Sequence, residues 1–256
     1  MTNSNLSCFF ATCAAAMLLT TASDAAVVGT VTSAPATVDL TTEGTLGWSK
    51  YAVSADSNAT GPTIVEKIGG VSIGFENSNP ANNGGNGQYG TEIRNFGSSF
   101  SWIDGNQQLT GDGDVRKIQL DATDPATQNA TFTFTVPSTA LDRTINLYLG
   151  LFDGSALFTA TLFDAQDQAI GSPYTNTDIA AAQGTILSQY AVTYSGCDHL
   201  TVTYQLTQAI NTFGGYSSVQ VAGASLLGAA VPEPSSIALL AVAGVVIALH
   251  RRLRQV

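Results

Sequence analysis

The stretch TINLYLGLFDGSALFTATLF, residues 144–163, decides the fold class of this 256-residue chain. Apolar and polar side chains alternate on both sides of Asp153-Gly154, with the two-residue period that turns one face of a β-strand towards a core. Asp-Gly between two such runs is a strong signal for a tight hairpin turn. The sequence therefore predicts two strands, 144–152 and 156–163, that pair across this turn.

Strand patterns continue in both directions from this stretch. Residues 131–136 alternate phenylalanine or valine with threonine, and a further strand pair is predicted around Ser195-Gly196. Threonine-lined polar faces and frequent turns favour an all-β fold, a single antiparallel β-sandwich of jelly-roll or Ig-like type over residues 26–227. The other predicted strands are 37–40, 72–75, 100–102, 189–194, 199–206 and 219–227.

The C-terminal 26 residues carry a pattern of another kind. They begin with a proline-rich motif: Val231, Pro232, Glu233 and Pro234. Residues 237–249 follow without a charge and predict a transmembrane helix of about 20 Å, short for a hydrocarbon core of about 30 Å. The tail 250–256 is basic, which predicts a cytoplasmic end. Its membrane-flanking arginines are Arg251, Arg252 and Arg254.

A plain single-span anchor would explain the apolar run and the arginines, but not the Pro-Glu-Pro segment in the linker 228–236. Over residues 231–254 the chain resembles the PEP-CTERM sorting domain of Gram-negative bacteria. The resemblance implies a precursor held in the inner membrane and recognised by an exosortase, a membrane-embedded enzyme that cleaves near the motif. It also implies an exported cell-surface or extracellular-matrix protein, typical of exopolysaccharide producers.

The region in front of the tag also resembles a known type of domain. It is similar to an uncharacterised β-sandwich module of secreted bacterial proteins. This resemblance supports the sandwich and transfers no binding residues. The matching segments are 38–48, 100–105, 132–137, 143–150, 190–194 and 200–204.

Residues 1–25 predict a secretory signal peptide for the Sec pathway. Residues 6–20 are largely apolar, and Ser23-Asp24-Ala25 offers small residues for signal peptidase. One departure is that residues 1–7 contain no lysine or arginine. Removal of the signal leaves Cys197 as the one cysteine, so an internal disulfide is not expected. Cys197 is either an inert thiol or the site of an intermolecular disulfide.

Charge limits the partners of the exported region. Residues 26–230 contain seventeen acidic and six basic side chains, a net charge of −11. Such a surface repels nucleic acid, which binds to basic patches, so no nucleic-acid partner is expected. Solubility outside the cell explains the same charge.

Candidate site residues are few. Trp48 and Trp102 could stack on a sugar, with Asp104 as a hydrogen-bonding neighbour, or they could fill the core. Asp112 and Asp114 could hold calcium, or they could serve only in a turn. No cofactor and no catalysis are predicted; the alternatives are a polysaccharide-binding module of the biofilm matrix and a glycan-active enzyme that uses two facing carboxylates.

Overall fold

The structure, a computed structural model, describes residues 25–53, 62–78, 97–122, 129–138, 141–210 and 217–228. These residues form strands and one short helix, α1, so the predicted all-β class is confirmed. The elements are β1 Ala26–Ser33, β2 Thr37–Asp39, α1 Leu40–Glu43, β3 Gly47–Val53, β4 Pro62–Glu66, β5 Gly74–Asn77, β6 Ser99–Trp102, β7 Gly111–Asp114, β8 Ile118–Ala122, β9 Thr131–Pro137, β10 Arg143–Phe152, β11 Gly154–Phe163, β12 Ala169–Ile179, β13 Thr185–Ser195, β14 His199–Ala209 and β15 Ser217–Gly228.

The described strands pair into three sheets. A seven-stranded sheet has the order β1-β13-β10-β15-β3-β4, with β8 beside β3 on the same side of β15. A five-stranded sheet has the order β12-β11-β14-β9-β5. Strands β2, β6 and β7 form a small third sheet, in which β2 and β6 are parallel. All pairs in the two larger sheets are antiparallel, as predicted for a sandwich.

The main core lies between the two larger sheets. Phe132, Phe134 and Val136 of β9 are buried while the threonines between them are less covered, as the alternation predicts. Phe158 of the five-stranded sheet stacks on Tyr190 of the seven-stranded sheet, with centroids 4.0 Å apart and ring planes at 5°. The inward faces of both sheets therefore interdigitate, as in other face-to-face sandwiches.

The predicted hairpin at Asp153-Gly154 is wrong, although both of its strands exist. β10 belongs to the seven-stranded sheet and β11 to the five-stranded sheet, so the chain crosses between layers at this point. The pair predicted around Ser195-Gly196 is wrong in the same way, since β13 and β14 lie in different sheets. Alternation specifies only which side chains face the core. The same pattern arises whether two strands pair within one sheet or lie in opposite sheets of the sandwich.

Buried hydrogen bonds fix the corner at Asp153. This residue is fully buried and adopts a left-handed conformation, with φ of 54°. Its carboxylate accepts the N–H of Gln183 at 3.0 Å, and its own N–H donates to the carbonyl of Gly184 at 3.0 Å. The backbone carbonyl of Asp153 accepts the hydroxyl of Ser217. These bonds tie the corner to the β12–β13 loop and to β15.

The three-stranded sheet and α1 pack on the outer face of the seven-stranded sheet and enclose a second core. Asp39 caps α1 by accepting the N–H groups of Thr41 and Thr42. The two tryptophans are part of this smaller core, away from the interface between the large sheets. Its buried apolar members are Val38, Leu40, Trp48, Val65, Phe100, Trp102, Tyr148 and Ala222.

Several predictions fall on residues outside the described ranges. The signal peptide lies there except for Ala25, and so do the Pro-Glu-Pro motif, the transmembrane helix and the basic tail. Among the residues that the structure describes, no helix has the length and hydropathy needed to span a bilayer.

Candidate functional site

The structure brings Trp48, Trp102 and Asp104 together. Trp48 lies on β3 and Trp102 at the end of β6, with ring centroids 5.9 Å apart. The indole N–H of Trp48 donates to the carboxylate of Asp104 at 3.0 Å. Asp104 also accepts the hydroxyl of Thr41 at 3.3 Å and forms an ion pair with Lys67 at 3.8 Å.

Burial contradicts the sugar-stacking interpretation of these tryptophans. Each is 1% exposed, so neither indole face is open to a ligand. The indole N–H of Trp102 is also satisfied internally, by the carbonyl of Gln108 at 2.9 Å. The core interpretation describes both rings correctly. Asp104 acts here as the acceptor that a buried indole needs when it leaves water.

A shallow groove lies above the edge of Trp102, with a cavity volume of about 380 Å³. Gly111 lines this groove and packs directly against the Trp102 ring, since an added Cβ would lie 2.3 Å from that ring. The Asp39 carboxylate is already engaged by α1, and the hydrogen bond from the Thr42 hydroxyl holds its pKa below the usual value. The groove is lined by Asp39, Ser101, Trp102, Ile103, Gln108, Thr110, Gly111 and Asp112.

The predicted calcium pair is not assembled into a ligand set. Asp114 accepts two hydrogen bonds from the Arg116 guanidinium, at 2.9 and 2.7 Å. Burial favours a raised pKa for Asp114, but the bonds from Arg116 and the charge of Lys50 outweigh it, and the pKa falls. Asp112 is exposed on the groove. Within the described ranges, no three His, Cys, Asp or Glu side chains are grouped to bind a metal.

Sequence reasoning missed a buried lysine next to this region. Lys50 is fully buried on β3, and its ammonium donates to the backbone carbonyls of Tyr51, at 3.0 Å, and Arg116. The same nitrogen lies 4.9 Å from the centroid of the Phe100 ring. Burial lowers the pKa of Lys50 to about 7. The available signal was a lone charged residue inside the strand Gly47–Val53, whose other members are uncharged.

A second buried polar cluster lies where β12 meets the inner face of the sandwich. Asp178 accepts the hydroxyl of Tyr204 at 2.9 Å and the amide of Asn176 at 3.2 Å. The same amide donates to the hydroxyl of Tyr190 at 2.9 Å. Burial, and then the charge of Asp178, raises the pKa of Tyr204. Both carboxylate oxygens are thus engaged internally, which is the arrangement of a structural network.

Comparisons with solved structures find distant likenesses. The enzymatically active domain of bacteriophage CBA120 tailspike protein 4 is 10% identical with a TM-score of 0.33, over 78% of this chain and 19% of that one. The isomalto-dextranase of Arthrobacter globiformis T6, complexed with panose, is 12% identical with a TM-score of 0.31, over 80% of this chain and 33% of that one. The chain thus spans a third or less of the length of either.

The C-terminal tag is the part of the chain with a specific match. A comparison with curated proteins finds no match. The family model described as the PEP-CTERM protein-sorting motif matches residues 230–254, which confirms the resemblance at the Pro-Glu-Pro segment. This chain therefore carries a PEP-CTERM sorting tag directly behind an antiparallel β-sandwich, and the tag implies an exported protein that an exosortase processes.

Proposed function

We propose that this protein is a non-catalytic scaffold of the cell surface or extracellular matrix. It leaves the cytoplasm through the Sec pathway and is held in the inner membrane by residues 237–249. Exosortase processing then releases or transfers the sandwich. The observation that carries the proposal is the matched motif at residues 230–254, which begins two positions after β15 ends at Gly228.

The burial and internal hydrogen bonding of the candidate ligand-binding side chains support a structural role. The side chains that suggested ligand binding, Trp48 and Trp102, are buried, and Asp104 is engaged by one of them. Asp178 is likewise engaged by neighbouring donors. A glycan-active enzyme needs two carboxylates that face a substrate, and Asp104 and Asp178 are held by internal hydrogen bonds instead.

The sorting step is tested by replacing Pro232, Glu233 and Pro234 with alanine in a host with its own exosortase. Processing is followed as a mass shift on a blot, and surface arrival by labelling of intact cells. We expect the precursor to accumulate in the inner membrane. The matched control replaces Ser235 and Ser236 with alanine, which alters the same linker outside the motif. Unchanged processing of the motif variant would show that the segment is a simple anchor.

Exopolysaccharide is the second candidate partner, and the groove above Trp102 is the observation that favours it. Gln108, Thr110 and Asp112 offer amide, hydroxyl and carboxylate groups there. A glycan array with the mature protein tests this directly. Binding that is lost in a Gln108→Ala, Asp112→Asn variant would establish a polysaccharide-binding module, and absence of binding would leave the scaffold role. Turnover of any glycan, abolished by one Asp or Glu substitution, would refute the non-catalytic role.

A further inference from the structure

Three large aliphatic side chains are exposed on two adjoining loops. Ile68, Ile103 and Leu109 have exposed fractions of 55%, 70% and 67%. The loops are joined by backbone hydrogen bonds, since the N–H of Ile68 donates to the carbonyl of Asp104 at 2.8 Å. Within the second loop, the N–H of Gly105 donates to the carbonyl of Leu109 at 3.2 Å. We call these three side chains the apolar tip; isolated exposed aliphatics are common, whereas a group of them marks an interaction surface.

The apolar tip adjoins the place where the chain leaves the sandwich. Leu46 donates its N–H to the carbonyl of Leu226 near the end of β15, at 3.0 Å, and its side chain lies against Gly228. The carbonyl of Leu46 accepts the N–H of Val71, at 2.8 Å, from the loop that contains Ile68. Lys67, next to Ile68, reaches the carbonyl of Gly44 at 3.0 Å. Contacts therefore run without a break from Gly228 to the apolar tip.

The length of the following segment limits how far this end can be from the membrane. Residues 229–236 separate β15 from the predicted transmembrane helix. A chain extends by at most about 3.6 Å per residue, so this segment reaches about 30 Å. The end of the sandwich that bears the apolar tip is thus the end tethered next to the bilayer, provided that residues 237–249 are inserted as proposed above.

From this geometry we infer that the apolar tip docks onto the outer surface of the inner membrane before processing. The apolar tip contacts the lipid interface, into which Ile68, Ile103 and Leu109 insert. Docking would restrict the motion of the sandwich on its short tether while an exosortase acts on the adjacent tag. This inference rests on the proposed anchoring and goes beyond it, because a tether alone leaves the sandwich free to tumble.

The negative charge of the exported region indicates that apolar contacts, rather than electrostatic attraction, favour docking. The exported region has a net charge of −11, and Asp39 and Asp112 line the groove next to Ile103. Anionic headgroups would repel these carboxylates at short range and low salt. Docking should therefore be strongest on zwitterionic lipid and should weaken as anionic lipid is added.

The test uses the mature chain, residues 26–256, reconstituted into phosphatidylcholine vesicles without exosortase. Flotation first establishes that the chain is anchored. Hydrogen exchange followed by mass spectrometry then compares the amides of Ile68 and Gly105 in vesicles with those in chain released by proteolysis of the linker. We expect exchange to be about tenfold slower in vesicles, which corresponds to about 1.4 kcal/mol of docking free energy.

Two variants make this measurement specific. Replacing Ile68, Ile103 and Leu109 by serine should abolish the protection. The matched control replaces Val28 and Ile179 by serine, since these are 64% and 67% exposed and lie on β1 and β12, strands at the far edges of the sheets. The control should keep the protection, and adding one third phosphatidylglycerol should reduce it.

Each contrary outcome identifies what has failed. A chain that does not float refutes the anchoring and the docking with it. A chain that floats but exchanges as fast as the released form refutes the docking alone. Protection that grows with the protein-to-lipid ratio shows that a second copy covers the surface, which overturns the inference. Protection that survives the triple serine substitution overturns it as well.

Discussion

Lys50→Met should change how the stability of this protein depends on pH. The lysine is fully buried, with its ammonium held by backbone carbonyls and the Phe100 ring, and burial lowers its pKa to about 7 from 10.5. Methionine has a similar length and cannot ionise. The substitution removes hydrogen bonds, which shifts the free energy of unfolding at every pH, and it also removes a titration.

The sign follows from the number of protons bound in each state. Above pH 7 the unfolded lysine keeps a proton that the folded lysine has released, so the free energy of unfolding rises with pH. Below pH 7 both states are protonated, and the full cost of the buried charge remains. One pKa unit corresponds to about 1.36 kcal/mol, so a lysine of this pKa gives a rise of about 2 kcal/mol between pH 7 and 9.

Urea titrations of the released sandwich at pH 6, 7, 8 and 9 measure this difference. Above pH 9 buried tyrosines oppose the trend, because burial raises the pKa of residues such as Tyr51 and their unfolded forms ionise first. Those tyrosines are common to both proteins, so the comparison cancels them. The reasoning is refuted if Lys50→Met shows the same rise between pH 7 and 9 as the unaltered chain.

Two further substitutions test the second core by the same urea titration. Asp104→Ala should cost about 1–3 kcal/mol, because the buried N–H of Trp48 loses its acceptor. Asp104→Asn should cost less, because the asparagine side chain keeps an oxygen that can accept this hydrogen bond. Equal losses of stability in the two variants would contradict this explanation. Gly111→Ala should cost about 1–3 kcal/mol by overpacking against Trp102. Gly113→Ala is the control that measures the cost of a left-handed backbone alone, because its φ is 67° and its Cβ would meet nothing within 4 Å. A Gly111→Ala chain as stable as the unaltered chain would refute the contact.

The alternation of apolar and polar residues predicted the strands and their buried faces but not how the strands pair. In β9 it identified the strand and its buried face, because the period of two depends only on local backbone geometry. At Asp153-Gly154 it could not say whether β10 and β11 would pair or face each other. That choice depends on residues distant in sequence, such as Gln183 and Ser217, which bind the corner.

The same limit applies to the candidate site. The sequence analysis named Trp48, Trp102 and Asp104 together as possible sugar contacts, but side-chain chemistry does not fix whether such residues are exposed. The three-stranded sheet and α1 cover these rings, and β2 and β6 of that sheet are parallel strands about sixty residues apart in the chain. Lys50 was missed because a lysine in a strand is usually exposed, and only the tertiary fold places backbone carbonyls around it.

The position of β15 connects the sandwich to its sorting tag. This strand pairs with β10 on one side and with β3 and β8 on the other. The last described strand of the chain therefore lies at the centre of the seven-stranded sheet. Pairings between such distant segments cannot form until the later segment is present. In the N-terminus-first export proposed above, the sheet would close only after Gly228 has emerged from the membrane. The tag matched at residues 230–254 begins after β15 ends, so the processing proposed above would remove no described strand and would leave the folded core intact.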